Sequence, residues 1–270
     1  MHLRNFPIFN MGKSHTNMST EKIPKVKTIL ISQPMPENGK SNYDEISIKH
    51  KLKIDWRPFI HLEEVDGKIL RRNRIHVLEH TAVIFTSRNA VDNFFRVCEE
   101  VKVDLPITMK YFCLNESISM YIQKYTQIRK RKLFTGKGPE KDLFRLIKNH
   151  KTEKYLFPCS NIRKDNIPDF LKEHSIEHTE AVMFKTVCSD LSDLENVYYD
   201  IIVFFSPAGI QSLFENFPGY VQNDTRIAGF GETTKKAIED AGLVMNISAP
   251  SKENPSMISA IENYIKVVNK

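Results

Sequence analysis

Two stretches of the chain repeat one phrase: Val83-Ile84-Phe85-Thr86-Ser87-Arg88-Asn89-Ala90-Val91 and Val203-Phe204-Phe205-Ser206-Pro207-Ala208-Gly209-Ile210, with Ser206 following Ser87 by 119 positions. In each, an apolar run of β-branched and aromatic residues stops at a Ser and passes into small residues suited to a helix start. A strand covered on both faces is apolar without alternation, so the phrase predicts a buried parallel strand that delivers a polar turn to a helix N-terminus. Such turns sit at the carboxyl ends of strands, where open α/β sheets bind ligands, and the positive end of the helix dipole favours anions there. Two copies predict two α/β halves, each with one half-site.

Length agrees, because 270 residues are about twice the size of one ordinary core. With 41% hydrophobic and 27% charged residues, the chain has apolar material for two cores. No apolar run approaches the roughly 18 residues a membrane span needs, so no membrane partner is expected. Residues 1–24 carry Met1, Met11 and Met18 among Asn, Ser, Thr and Lys; without an apolar core or a cleavage site they are expected to form a flexible tail, not a secretory signal.

Cys98, Cys113, Cys159 and Cys188 form no Cys-x-x-Cys pair and have no histidine at ligand spacing. They predict buried structural thiols in a reduced, cytoplasmic compartment, and no metal. The net charge of +6 points to an anionic partner. Nucleic acid is not expected, since the chain lacks an RNP-type aromatic pair, zinc-finger spacing and a continuous basic helix. The run Arg129-Lys130-Arg131-Lys132 is expected as a solvated helix end or strand edge.

Strand and helix alternate along the sequence. Strands are expected at 28–32, 82–86, 109–113, 132–135, 155–157, 200–205, 225–230 and 244–247, and helices at 43–51, 89–100, 116–125, 139–149, 166–174, 209–216, 231–242 and 256–269. Two further extended segments, 54–65 and 181–187, stand apart from this alternation. Among the helix starts, Gly231-Glu232-Thr233-Thr234 offers hydroxyls that cap the helix or meet a ligand, and Asn115-Glu116-Ser117 holds the matching place in the first half.

Other chemistries find little support. Gly229-x-Gly231 lacks a third glycine and a following acid, and Gly136-Lys137-Gly138 lacks the rest of a Walker motif. Neither Ser87 nor Ser206 lies in Gly-x-Ser-x-Gly. His174 and His178 read as a surface pair in the absence of nearby ligands.

The ordered set Ile84 to Val91, Leu156 to Arg163 with Ile167-Pro168-x-x-Leu171, Val182 to Val187, Phe204 to Gly209 and Gly231 to Thr234 resembles the uroporphyrinogen-III synthase family over nearly the whole chain from about Lys25 to Lys270. The resemblance implies two parallel-sheet α/β domains joined by a two-stranded linker. Domain 1, built from 25–53 and 189–270, would be discontinuous; the linker would be 54–64 and 181–188, and domain 2 would be 65–180. It also implies a reaction: closure of the linear tetrapyrrole hydroxymethylbilane to uroporphyrinogen III, with inversion of the last ring and loss of water, by a cofactor-free, monomeric lyase of haem biosynthesis. Ser206, Ala208, Gly209, Thr233 and Thr234 of one domain, and Ser87, Arg88, Asn89, Asn115, Ser117, Ser160 and Arg163 of the other, would line the walls of a hinged cleft for this polycarboxylate.

Two positions depart from the family pattern. Many members carry a Tyr suggested to assist departure of the hydroxyl where this chain has Phe184, which would still contact the substrate but cannot donate a proton; Lys185, Thr233, Thr234 or bound water would take the role, or departure needs little acid assistance. The Phe184 ring is expected to pack on Trp56 or Phe59 of the other linker strand. The first strand ends Ser32-Gln33-Pro34 where many members have Thr-Arg-Pro. A non-catalytic binder of an anionic small molecule would show the same turns and is the alternative reading.

Overall fold

A computed structural model describes residues 24–37 and 39–270. All of the expected tail except Pro24 lies outside the described residues. In chain order the elements are β1 (Thr28–Ile31), α1 (Asp44–His50), β2 (Lys53–Trp56), β3 (Ile60–Glu64), α2 (Lys68–Arg72), β4 (Ala82–Phe85), α3 (Arg88–Glu100), β5 (Lys110–Cys113), α4 (Glu116–Tyr121), β6 (Leu133–Thr135) and α5 (Glu140–Lys148). There follow β7 (Tyr155–Ser160), α6 (Asn166–Glu173), β8 (His178–Cys188), β9 (Ile201–Phe204), α7 (Pro207–Asn216), β10 (Arg226–Phe230), α8 (Glu232–Asp240), β11 (Met245–Ala249) and α9 (Met257–Val268). The chain is an α/β protein of two compact units. The first comprises the described residues through Arg57, with Asn196–Ile210 and Val221–Lys270; the second comprises Pro58–Glu195 and Gln211–Tyr220.

The first unit holds a five-stranded parallel sheet in the order β11-β10-β9-β1-β2. β1 and β9 are its central strands, and β9 is buried throughout as Ile201-Ile202-Val203-Phe204. One face of the sheet packs under α1 and α9, where Ile29, Ile31, Val203, Ala228, Ile261 and Ile265 form a continuous core. α9 is started by a capping box in which the Ser256 hydroxyl accepts from the Ser259 N–H at 3.2 Å.

The second unit holds six strands in the order β3-β8-β7-β4-β5-β6, parallel except for β3 against β8. One face meets α3 through Ala90, Val91, Phe94, Val97 and Cys98, a stripe at helical spacing. On the other face Leu143, Ile147, Ile167 and Leu171 of α5 and α6 cover Ala82, Ile84, Phe112 and Tyr155. β8 is long because it serves two partners: residues 178–184 run parallel to β7, and 184–188 run antiparallel to β3.

Four expectations change. The extended segment 54–65 divides into β2 and β3, each in a different sheet; the Arg57 N–H closes the β1 ladder on the Ile31 carbonyl at 3.0 Å, and Pro58, which has no N–H, follows. The segment expected to begin at 181 begins at His178. The helix expected over 116–125 gives way after Tyr121 to a 3-10 turn at Ile122–Lys124. Helix α2 was not expected; its first turn is organised by side chains, with the Asp66 carboxylate accepting from Lys68 N–H at 2.8 Å and Glu100 accepting from Gly67 N–H at 2.8 Å.

Candidate functional site

In the second unit the chain leaves β4 through α3 toward β5 and leaves β7 through α6 toward β8, so strand order reverses between β4 and β7. Helices that depart in opposite directions open a crevice at the carboxyl ends of two such strands. A cavity of about 450 Å³ lies there. Thr86, Ser87, Asn89 and Ala90 reach it from the β4–α3 turn, Pro158 to Ser160 and Ile162 to Lys164 from the β7–α6 turn, and Ile60, Leu62, Phe184 and Thr186 from the β3–β8 pair. Its lining is part apolar and part hydroxyl, amide and cation, with one carboxylate, Glu140.

Each polar turn is held by its own side chains. Ser87 is extended and its hydroxyl accepts from Ala90 N–H at 3.1 Å, which caps α3 and leaves earlier N–H groups of the first turn for a ligand. The Ser160 hydroxyl donates to Asn161 Oδ1 at 2.9 Å and lies 3.0 Å from that of Thr186, whose N–H donates to Asn161 Oδ1 at 2.8 Å. These bonds tie the β7–α6 turn to β8. Arg163 pairs with Glu180 and lies 3.3 Å from Asp165, so much of its charge is answered inside the protein. Burial pushes the Cys159 thiol, also on the lining, up to about 11, which leaves almost no thiolate for nucleophilic chemistry near neutral pH.

The strand register decides between Phe184 and Lys185. Phe184 stands opposite Glu64 and Thr186 opposite Leu62, while Lys185 pairs with Glu63. Successive residues of a strand point to opposite faces, so Lys185 lies on the exposed face away from the cavity that its two neighbours line. Lys185, expected among the substitute proton donors, thus does not line this cavity. The Phe184 ring, 6% exposed, joins the core of Phe85, Phe94 and Met183. Trp56, one of the two partners expected for it, meets Tyr43 edge-on at 5.5 Å.

Arg88, Asn115 and Ser117 gather beside β5. Arg88 Nη2 donates to the Ser117 hydroxyl at 2.8 Å, the Asn115 side chain accepts from Ile118 N–H at 3.1 Å, and Arg88 and Lys124 both stand over the Tyr121 ring. In the first unit, strand order reverses between β1 and β9, and the turns after them hold Ser32 and Ser206. Ala208 and Gly209 are buried at the start of α7; a Cβ on Gly209 would come within 3.2 Å of the Phe204 ring and 3.8 Å of Ser32 Oγ. At β10 the expected capping by threonine is corrected. Gly231, at φ 84°, is the N-cap and no side chain caps α8. Thr233 is exposed, and Thr234, 1% exposed, has a hydroxyl with no partner among the described residues.

The sequence-derived residues thus form three groups: Ser87, Asn89, Ser160, Arg163 and Phe184 on one cavity; Arg88, Asn115 and Ser117 at the starts of α3 and α4; and Ser206, Ala208, Gly209, Thr233 and Thr234 in the other unit. Asn161 and Thr186 were missed, although strand alternation from Phe184 reaches Thr186. Also missed was the ring pair Phe205 and Phe230, 6.2 Å apart at the ends of β9 and β10. Among the described residues no three His, Cys, Asp or Glu side chains gather as metal ligands. The His174 and His178 rings each bind a nearby backbone carbonyl, of Phe170 and Ile176.

A family model, uroporphyrinogen-III synthase HemD, matches residues 49–259. The chain belongs to the uroporphyrinogen-III synthase family. It is 30% identical over 142 residues to the uroporphyrinogen-III synthase of Saccharomyces cerevisiae, a match over 46% of this chain and 50% of that protein, so the chain spans about half the length of this relative. Solved structures share the fold. Uroporphyrinogen-III synthetase from Helicobacter pylori superposes with TM-score 0.59 at 15% identity, and a mutant uroporphyrinogen III synthase from Thermus thermophilus with 0.58 at 11%. The similarity covers 90% of this chain in both cases, with 100% and 99% of theirs.

Proposed function

We propose that the chain converts hydroxymethylbilane to uroporphyrinogen III, inverting ring D and releasing water. The match to the family over residues 49–259 carries this reading. The cavity between β4 and β7 supports it, because its chemistry suits a polycarboxylate with flat apolar rings.

Departure of the terminal hydroxyl as water leaves an electrophilic azafulvene. The substituted carbon of ring D attacks it to give a spiro pyrrolenine, which fragments and recloses at the other carbon. The pyrroles supply the electrons, so the protein's work is to hold the chain folded and to disfavour direct closure to the unrearranged ring. Ser87, Asn89 and the free N–H groups at the start of α3 are suited to an acetate or propionate carboxylate, and Lys164 adds a cation. Ile60, Leu62, Ile162 and Phe184 offer apolar surface to a pyrrole ring and keep water from the azafulvene. The enzyme is a lyase by this chemistry, and its four free thiols are in keeping with a reduced cytoplasmic compartment.

An assay with freshly prepared hydroxymethylbilane tests the proposal. Type III product formed faster than the spontaneous type I ring is the expected result. Type I alone, with saturable binding of the substrate, would favour the non-catalytic binder.

A further inference from the structure

We propose that Arg96 is a positioning residue for this cavity: through the Met183 carbonyl it fixes a bulge in β8 and with it the Phe184 ring on the cavity wall. The inference rests on the reaction proposed above. Along β7 and β8 the register runs Cys159 to Val182 and then Ser160 to Phe184, so Met183 is the extra residue. A bulge re-aims the side chains beyond it, and without it a period of two would turn Phe184 to the other face. The buried Met183 carbonyl accepts from Arg96 Nη2 at 3.3 Å.

The same nitrogen donates to the Val65 carbonyl at 3.0 Å, just past β3, and Arg96 Nε lies 3.7 Å from Glu64, the residue opposite Phe184. Glu100, one turn further along α3, pairs with Nη1 and holds the far side of the guanidinium. One planar side chain therefore binds both strands of the β3–β8 pair to α3, the helix whose first turn lines the cavity through Ser87, Asn89 and Ala90. Two of its acceptors are backbone carbonyls, of Met183 in β8 and of Val65 just past β3, which a surface ion pair for stability alone does not need; Nη2 also donates to Asn93 Oδ1, on α3 itself, at 3.1 Å.

Arg96→Met removes every donor, Arg96→Lys keeps one charge and reach to fewer acceptors, and Glu100→Gln loosens the ion pair but spares the bonds to the carbonyls. Misplacement of a wall by about 1 Å costs on the order of a hundredfold in rate, and smaller shifts cost less. The expected result, below the melting temperature of each variant, is a kcat lowered about tenfold or more in Arg96→Met with a rise in type I product. KM should change less, Lys should rescue in part, and Glu100→Gln should stay near wild type. Wild-type kcat and product ratio in folded Arg96→Met, or losses in all three variants that simply follow their melting temperatures, would overturn the inference.

Fluorine NMR of a fluorophenylalanine at position 184 gives a readout that needs no turnover. Its resonance should move in Arg96→Lys and hold in Glu100→Gln; an unmoved resonance in the Lys variant overturns the positioning role even where Arg96→Met does not fold. Absence of type III product from the wild-type chain, by contrast, overturns the proposed reaction and leaves the resonance test to decide Arg96.

Discussion

Ser87 does two jobs with one oxygen, and a single substitution separates them. Its hydroxyl caps α3 and also faces the cavity. Asp caps as well as Ser, and its charge favours the helix N-terminus, but it places a carboxylate where the proposed substrate brings its own. Ser87→Asp should therefore keep the melting temperature while raising KM about tenfold, a penalty on the order of 1.4 kcal/mol. Ser87→Ala should instead lower stability by about 1 kcal/mol. Thermal melts and steady-state kinetics on both variants check this, and equal KM values would remove Ser87 from the site. Thr234 offers the reverse case. Its buried hydroxyl has no partner among the described residues, and an unpaired buried polar group costs more than an apolar one of the same shape. Thr234→Val should raise stability by roughly 1 kcal/mol. A lowered melting temperature would mean that the hydroxyl is bonded after all.

At the scale of elements, β8 shows why alternation matters more than composition. Lys185 lies between two cavity-lining residues and on the opposite face, so Lys185→Ala should leave turnover unchanged. Phe184→Leu should lower stability by about 1–2 kcal/mol, because the ring is part of the core with Phe85 and Phe94. Kinetics and melts on the pair decide it, and a large loss of kcat in the Lys185 variant would refute the strand register. The repeated phrase was legible because a buried parallel strand and a capped helix leave local signals: Ser87 and Asn115 were read as helix starts and both accept the expected N–H bonds. The bulge at Met183 was not legible, since it depends on which residue of β7 each residue of β8 meets, and no local propensity records that pairing. Helix α2 escaped for a similar reason: its first turn leans on Glu100, 33 positions from Gly67. Gly231 took the cap expected of Thr233 because a backbone at φ 84° needs a residue without a side chain.

At the scale of the whole molecule, the first unit is assembled from distant parts of the chain, and its stability should depend on the bonds that join them. β1 pairs with β9 and β2, Thr28 N–H and hydroxyl both donate to Asp200, and Asn269 exchanges bonds with Val26 N–H and carbonyl at 2.8 and 2.9 Å. Contacts of such sequence separation are slow to form and are lost together. α9 is further tied to α1 by Glu262, which meets Lys49 at 2.7 Å, Lys266 at 3.2 Å and His50 at 3.4 Å. The hydrogen bond from Lys49, then those from Lys266 and His50, hold its carboxyl at about 2, below the ordinary 4.5. A carboxyl with a lowered folded value adds stability that is complete above the unfolded value and is lost as pH falls toward the folded one. The contribution of Glu262 should thus be constant above about pH 5 and should disappear between about 4.5 and 2. Melting temperatures of the wild type and Glu262→Gln, followed from pH 7 to pH 2, should differ by a constant amount at neutral pH and converge through that window. Because the cluster is at the surface, added salt should narrow the neutral-pH gap as well. A gap that persists unchanged at pH 2, or that opens only below pH 4, would show that the carboxylate does not join α9 to α1 in solution.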